Sequence, residues 1–298
     1  MKKKKLITSD SLAMFVLLLP LLITVVLLYV MLFWTFYTSL SDWKGVSPNY
    51  TFVGLKWYKM MFTMDRFWTD FMNNLKWLTL GVLPTLFLAL VIAYILEMSN
   101  LKKIETYLRT LILYPSAMSF VVTGTIWSWI YQPDKGVLNT IFSTLRLDFL
   151  KGMYTANPRT ATYWLILIFI WQFLGLAVII LQSAFRSSEL QEMIESALVD
   201  GASKTRILFQ IIVPNIRSGL LILGSLLLIS ALKVFDIVYI VTFGGPGYST
   251  DVLAFFMFIA TFQQHLVSLG ACLSMIIFIM AFMIIIPYTL YAFKRWFG

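Results

Sequence analysis

Long stretches without a charged residue constrain this chain more than any other feature. The residues between Asp10 and Asp42 include no Asp, Glu, Lys or Arg, and further apolar stretches follow along the chain. A helix of about 20 apolar residues crosses the hydrocarbon of a bilayer. Only 12% of the residues are charged, whereas soluble domains average about 25%. The sequence therefore predicts an all-α membrane protein.

We predict six transmembrane helices within a single transmembrane domain that covers residues 1–298. The expected spans are 12–40, 73–96, 108–131, 162–184, 218–243 and 267–292. The apolar core of a cleavable signal peptide has about 7–15 residues, so we interpret the much longer first stretch as a retained span. Pro115 and three other prolines lie inside spans, where the missing backbone donor favours a kink.

The net charge of +9 follows from membrane topology rather than from nucleic-acid binding. With the N-terminus in the cytoplasm, thirteen Lys and Arg lie in inner segments, nine lie in outer segments, and Lys233 falls within a span. Cytoplasmic loops carry the excess of Lys and Arg, so we expect both termini in the cytoplasm and no nucleic-acid partner. His265 and Cys272 are each single in the chain, so no metal site is expected.

A polar patch at residues 185–217 interrupts this apolar chain. Ser187 or Ser188 can cap a helix, and Gly201 can supply the left-handed turn that ends it. The apolar residues fall at helical spacing on one face, namely Leu190, Met193, Ile194, Ala197 and Leu198. A second short helix follows, and Pro214 is expected to start the return to the membrane. The pattern predicts a helical hairpin on the cytoplasmic face, either as a docking surface or as an ordinary interfacial segment.

The same patch resembles a known motif. Glu195, Ala197, Asp200, Gly201 and Ala202, closed by Pro214, are similar to the Glu-Ala-Ala loop of ABC-importer permeases. Ser196 replaces the usual central alanine, and Val213 replaces the usual leucine before the proline. The resemblance implies that these residues form a coupling helix that docks into a cleft of an ATPase subunit.

Two further segments resemble the MalF-like permeases of carbohydrate importers. Lys233 to Asp236, followed by Thr242-Phe243-Gly244-Gly245-Pro246-Gly247, is similar to the end of the family's fifth helix, and residues 52–58 match an early family segment. Tyr114-Pro115, Ser119-Phe120 and Thr123 to Thr125 resemble the branch that imports glucose, mannose or simple glucosides. The implied fold is the type I ABC-importer permease, in its short six-span form.

Several polar and aromatic residues inside spans are candidates for a substrate pathway. Ionisable residues in a membrane are costly and usually face a partner or a water-filled cavity, and Lys233 and Asp236 are expected to share one helix face. The alternative for this pair is a purely structural role. Gln172, flanked by Trp171 and Phe173, offers an amide beside aromatic surfaces that suit a sugar, or else forms core packing. Tyr239 and Trp127 are further candidates.

The resemblance implies a permease subunit that performs no chemistry and binds no cofactor, in a prokaryotic plasma membrane. Its expected partners are a second homologous permease, two ATPase subunits that use ATP and magnesium, an extracytoplasmic sugar-binding protein and membrane lipid. The chain contains no Gly-x4-Gly-Lys nucleotide loop. An ion-coupled secondary transporter is the alternative, and an intramembrane enzyme is disfavoured because no Ser-His or metal constellation is present.

Overall fold

The computed structural model describes residues 9–98 and 102–296. Within these residues every regular element is helical, and the only strand-like pairing is an isolated bridge between Ser41 and Phe52. The all-α prediction is confirmed. Residues 2–5, which contributed to the predicted topology, lie outside the described residues, as do the side chains of Lys102, Lys103, Lys294 and Arg295.

The first half of the described chain forms seven α-helices. They are α1 (Ser9–Ser39), α2 (Lys56–Phe62), α3 (Asp65–Lys76), α4 (Val82–Met98), α5 (Lys102–Ala117), α6 (Phe120–Ile130) and α7 (Val137–Thr144). A π-helical segment, Trp77–Gly81, joins α3 to α4 without interrupting the helix, and a short 3-10 turn follows α7 at Asp148–Leu150.

The second half contains a long span, a hairpin and a series of shorter helices. They are α8 (Ala161–Phe185), α9 (Ser188–Val199), α10 (Lys204–Arg206), α11 (Val213–Asn215), α12 (Arg217–Leu232), α13 (Asp236–Val241), α14 (Leu253–Phe258) and α15 (Val267–Trp296). Two further π-helical segments, Ile207–Ile212 and Ile259–Gln263, lie before α11 and after α14.

Four predicted spans are recovered as continuous helices, the third is bent, and the fifth stops at Leu232 instead of continuing to residue 243. Four helices of the described chain are long and apolar enough to cross a membrane, and counting two bent pairs raises the number to six. Within the third predicted span, α5 and α6 meet at 101°. The helix that ends at Asn215 meets α12 at 73°. The apolar helix Leu253–Gln263 was not predicted.

The chain divides into two compact units, and the single transmembrane domain over residues 1–298 stays a prediction. The smaller unit comprises Met1–Met61 and Met257–Met275. In it, the Ser268 hydroxyl accepts a hydrogen bond from the Trp43 backbone N–H at 2.9 Å, and the Cys272 thiol donates to the Ser39 carbonyl oxygen at 3.4 Å. Most side chains of α1 from residue 18 to residue 37 are exposed and apolar, which suits a helix surrounded by lipid.

The larger unit comprises Phe62–Phe256 and Ile276–Gly298. Helix α8 lies at its centre and packs against α4, α5 and α12. The contact with α5 is unusually close, because a Cβ atom at Gly175 would lie only 2.0 Å from the carbonyl oxygen of Ile112. Only glycine allows the two backbones to approach in this way, so Gly175 fixes the position of α5 on α8.

Candidate functional site

The polar patch folds as the predicted helical hairpin, which we define as residues 187–215. Helix α9 ends at Asp200, and Gly201 adopts a left-handed conformation with φ of +76°. The Ala202 N–H donates to the Ala197 carbonyl oxygen at 2.9 Å, and the Gly201 N–H donates to the Leu198 carbonyl oxygen at 3.1 Å. This pattern satisfies carbonyls at the end of the helix and reverses the chain.

The second arm of the hairpin differs from its prediction. Ser203 caps it, its hydroxyl accepting a hydrogen bond from the Arg206 N–H at 3.3 Å. The arm then runs helically through the π-segment to Asn215, so Pro214 lies within the first positions of α11. The return to the membrane therefore begins one turn later than predicted, at the bend after Asn215. Proline is tolerated there because its missing N–H is not needed at a helix start.

The hairpin buries a narrower apolar face than its sequence suggests. Leu190 and Ile194 are 2% and 3% exposed, while Met193 and Leu198 are 45% and 46% exposed. The predicted apolar face is therefore buried at the first two residues and exposed at the other two. Exposed methionine and leucine on a rigid hairpin leave apolar surface free for a partner.

An open groove of about 600 Å³ runs along the exposed side of α9. Its lining combines three acidic side chains with small and apolar residues, namely Glu189, Glu192, Met193, Ser196, Ala197, Asp200 and Ile211. Three residues of the predicted docking motif therefore line this groove. Glu195 is exposed, and neither it nor Gly201, Ala202 or Pro214 contributes to the lining.

The end of helix α4 holds the hairpin from the side. The Tyr94 hydroxyl donates to the Lys204 carbonyl oxygen at 2.7 Å. Glu97 accepts a hydrogen bond from the Gln191 amide at 3.2 Å and lies 3.6 Å from the Arg186 guanidinium. Both arms of the hairpin are therefore attached to one membrane helix.

A second candidate site is a cavity of about 260 Å³ within the larger unit. Aromatic and apolar side chains line it together with one cation and one carboxylate, namely Phe120, Phe169, Phe173, Leu176, Leu226, Ser230, Lys233, Val234, Phe235, Asp236 and Ile237. The structure thus brings three of the predicted pathway residues, Phe173, Lys233 and Asp236, into one cavity. Gln172, Trp171 and Tyr239 do not line it.

A break in the fifth predicted span creates this cavity. Helix α12 ends at Leu232 and α13 starts at Asp236, with Phe235 at φ of −142° between them. The prediction that Lys233 and Asp236 share a face of one helix is therefore wrong. Both side chains are exposed, and no ion pair joins them among the described residues. Their charges are available to a bound molecule.

The side-chain amide of Gln172 is hydrogen-bonded to other residues of the chain. The side chain is 3% exposed. Its amide nitrogen donates to the Met118 carbonyl oxygen at 3.0 Å, and its amide oxygen accepts a hydrogen bond from the Thr123 hydroxyl. Its backbone carbonyl accepts one from the Ser116 hydroxyl at 2.7 Å. These bonds satisfy backbone and side chains at the bend between α5 and α6, so Gln172 stabilises the bend.

The remaining aromatic candidates pack against one another. The Trp171 ring lies edge-on to Trp127, with ring centroids 5.5 Å apart. Tyr239 lies 5.3 Å from both Phe235 and Phe243. Trp171 therefore contributes to an aromatic cluster beside the cavity, and Tyr239 supports the wall that Phe235 forms.

The Gly-rich segment that resembles the family's fifth-helix end is an ordered loop, which we call the Gly-rich loop (residues 242–252). The Asn73 amide donates to the carbonyl oxygens of Ser249 and Asp251 at 2.8 and 2.9 Å. The Thr162 hydroxyl donates to Ser249 at 2.8 Å. Inside the loop, the Thr250 hydroxyl donates to the Gly245 carbonyl oxygen at 2.8 Å. Side chains from α3 and α8 therefore fix the loop.

A buried ion pair completes this attachment. Arg66 donates from Nε and Nη2 to one carboxylate oxygen of Asp251, at 2.8 and 2.5 Å. The guanidinium lies between the rings of Tyr248 and Phe256, at 4.4 and 4.1 Å. Burial raises the pKa of Asp251 to about 6, although Arg66 and a backbone N–H act to lower it. The guanidinium of Arg66 favours the ionised form of this carboxyl group.

Asn74 connects the Gly-rich loop to the cavity. Its amide oxygen accepts a hydrogen bond from the Leu253 N–H at 2.9 Å, and its amide nitrogen donates to the Leu232 carbonyl oxygen at 3.2 Å. Leu232 is the last residue before the break that lines the cavity. Sequence reasoning missed Arg66, Asp70, Asn73 and Asn74, although polar residues at this helical spacing mark one polar face.

Comparisons with known proteins identify the family of this chain. The family described as "Binding-protein-dependent transport system inner membrane component" matches residues 86–296. A probable ABC transporter permease of Pyrococcus horikoshii is 38% identical over 278 residues, covering 93% of this chain and 94% of that protein. The xylose/arabinose import permease of Haloferax volcanii is 31% identical over 264 residues, covering 88% and 82%.

The fold also matches a solved structure. A bacterial ABC transporter involved in the import of the acidic polysaccharide alginate contains a chain that superimposes with a TM-score of 0.83. The two chains are 20% identical, and the match covers 97% of each. The predicted permease fold is therefore confirmed.

Proposed function

The chain belongs to the family of inner membrane components of binding-protein-dependent transport systems, and we propose that it forms half of the translocation pathway of an ATP-driven sugar importer. The substrate class is a monosaccharide, a small oligosaccharide or a glucoside. The named sugars of its relatives support this class, and the glucose, mannose or glucoside branch stays a prediction. The chain would occupy a prokaryotic plasma membrane with both termini in the cytoplasm.

The hairpin carries this proposal. Its groove presents the Ser196, Ala197 and Asp200 side chains of the predicted motif, and its turn is closed by Gly201 in a left-handed conformation. Helix α4 and the start of α12 connect it to the membrane part of the larger unit. A rigid docking element attached to spans suits the transfer of motion from an ATPase. ATP hydrolysis would reside in two partner subunits.

The cavity supports a sugar as the transported molecule. Phe120 and Phe173 offer aromatic surface for the C–H face of a sugar ring, while Lys233 and Asp236 offer charged partners for its hydroxyl groups. A cavity of about 260 Å³ is small, so a second permease would supply the other wall. An extracytoplasmic binding protein would deliver the sugar to it.

Reconstitution tests the proposal. The chain, its second permease, the ATPase and the binding protein are placed in proteoliposomes, and uptake of radiolabelled sugars is measured with and without ATP. We expect uptake that needs ATP and binding protein and that persists when proton and sodium gradients are collapsed. The isolated chain should not hydrolyse ATP. Uptake by the chain alone, driven by an ion gradient, would favour the secondary-transporter alternative.

A charge reversal tests the docking role of the hairpin. Glu195→Lys places a cation on the exposed side of α9 without disturbing a buried contact, so insertion should be normal and ATPase association weaker. Asp148→Lys, at an exposed acid far along the chain from the hairpin, is the matched control. Equal ATPase capture by both variants and the wild type would contradict the docking role of Glu195.

A further inference from the structure

A carboxyl group without a hydrogen-bond partner lies inside the larger unit. Asp70 of α3 is 0% exposed, and neither of its carboxyl oxygens has a hydrogen-bond partner among the described residues. Buried polar groups are nearly always hydrogen-bonded, and an isolated buried carboxyl group is strongly unfavourable. Asp70 would gain stability from any neighbouring donor that turned towards it.

The geometry identifies that partner. Arg66 precedes Asp70 by four residues on the same helix, a spacing that places the two side chains on one face, one turn apart. In the structure Arg66 instead donates two hydrogen bonds to Asp251 in the Gly-rich loop. One guanidinium thus has two carboxyl groups available, one on its own helix and one on a loop.

We propose that Asp70 is the alternative acceptor for Arg66 and that exchange of Arg66 between Asp251 and Asp70 releases and recaptures the Gly-rich loop. In the structure the loop is held and Asp70 is unpaired. When Arg66 turns to Asp70, the buried carboxyl group gains its cation and Asp251 leaves with the loop. No bond is made or broken other than hydrogen bonds and ion pairs.

The exchange is suited to a switch because each conformation satisfies what the other leaves unpaired. The held state pairs Asp251 and leaves Asp70 near Arg66 but without a hydrogen-bond partner among the described residues, whereas the released state pairs Asp70 and frees Asp251. Two alternative pairings of one guanidinium are the kind of element that a differential bias can move from one state to the other. The stacking of Arg66 on Tyr248 and Phe256 favours the held state.

Hydrogen bonds through Asn74 connect the Gly-rich loop to the cavity. Asp251 and Leu253 are close along the chain, and the Leu253 N–H is bonded to Asn74, whose amide also holds the Leu232 carbonyl at the cavity break. Movement of the loop would therefore pull on the segment that carries Lys233. This consequence rests on the proposed transport function, whereas the exchange of Arg66 rests on the geometry of α3 and the loop.

Thermal stability tests the exchange without any transport assay. We compare the melting temperature of the purified protein in detergent for Asp70→Asn, Asp251→Asn and the double variant. Asp70→Asn removes an unpaired buried carboxyl group and should not lower the melting temperature. Asp251→Asn should lower it by only about 2 °C, because Arg66 can turn to Asp70.

The double variant is decisive, because it leaves Arg66 buried without any carboxylate. Its melting temperature should fall by roughly 5 °C or more, well beyond the sum of the single variants. Additive effects would overturn the exchange. A large loss of stability in Asp70→Asn alone would also overturn it, because Asp70 would then be needed in the held state.

Hydrogen exchange in the reconstituted complex tests the release. Amides of residues 244–252 should exchange roughly tenfold faster when ATP and binding protein drive the cycle. In Asp70→Asn they should keep their resting rate, and sugar uptake should fall roughly tenfold. In Asp251→Asn the amides of residues 244–252 should exchange fast even without ATP and binding protein. This measurement does not depend on whether the Asp70→Asn complex assembles.

Asp148→Asn is the matched control, since Asp148 is an exposed acid paired with Lys151, and it should match the wild type. Wild-type uptake and wild-type loop exchange in Asp70→Asn would refute the proposal. Absence of ATP-driven uptake in the wild-type complex would refute the transport function instead, while the stability measurements would still decide the exchange.

Discussion

The hairpin and the cavity differ in whether residues near in sequence or far apart in sequence stabilise them. The hairpin turn is closed by hydrogen bonds between neighbours in sequence, such as Ala202 to Ala197, around a glycine with positive φ. The cavity exists because the helix stops at Leu232, whose carbonyl oxygen is bonded by Asn74, 158 residues away. Local chemistry encodes the first site, and a distant side chain supports the second.

The largest effect is expected at the hairpin turn. Gly201→Val forces a β-branched residue into a left-handed conformation, at a cost of about 1–3 kcal/mol. A Cβ atom there meets nothing within 4 Å, so the backbone alone carries the strain. If the strain falls on the docked state, coupled uptake should drop by roughly 5–150-fold, while membrane insertion is unchanged.

Gly201→Asn is the matched control, because asparagine tolerates the left-handed region. It should retain most of the uptake measured for the wild type. Equal loss in both variants would mean that the absence of a side chain, rather than the conformation of the turn, is what the hairpin requires.

The next largest effect is a difference in stability between substitutions at two buried glutamines of α8. Gln172 and Gln182 are both 3% exposed. The side-chain amide of Gln172 makes two hydrogen bonds, whereas neither amide atom of Gln182 has a hydrogen-bond partner within the described part of the chain. Gln172→Leu should therefore lower the free energy of unfolding by about 1–3 kcal/mol. Gln182→Leu should leave it unchanged or raise it. Denaturation of the purified protein, followed by tryptophan fluorescence, measures both. Similar losses would contradict the assignment of Gln172 to the bend.

A smaller effect is expected in the cavity. Lys233→Met and Asp236→Asn each remove an exposed charge that makes no ion pair with the other, so the melting temperature should not change. If either group holds a sugar hydroxyl, uptake efficiency should fall roughly tenfold. Uptake kinetics at several sugar concentrations measure this. Normal uptake in both variants would remove these residues from the pathway, while a shared loss of stability would restore the structural alternative.

The smallest effect is expected on the exposed side of the hairpin. Met193→Ala removes half-exposed apolar surface from the groove and should weaken ATPase association by roughly fivefold, equivalent to about 1 kcal/mol. Met153→Ala, at a more exposed methionine outside the hairpin, should have no effect. Capture of the ATPase by detergent-solubilised variants gives the comparison.

The sequence was sufficient for the spans and the hairpin because both depend on local patterns. Apolar length predicts a span, and serine caps with a glycine turn predict a hairpin. The bend after Ala117 agrees with the kink predicted at Pro115, although Gln172 stabilises it from another helix. The break after Leu232 could not be predicted in the same way, because Asn74 stabilises it from a distant helix. The apparent i, i+3 pairing of Lys233 with Asp236 was wrong for this reason.

The bent third span has a mechanical consequence. Helix α6 has 11 residues, so it is roughly 16 Å long at 1.5 Å per residue. Gln172 anchors its near end against α8 through the Met118 carbonyl oxygen and the Thr123 hydroxyl, and α13 packs along its side. A rotation at the bend therefore turns α6 about its anchored end. A tilt of about 10° displaces its far end by about 3 Å, whereas Phe120, which lines the cavity from the anchored end, moves little.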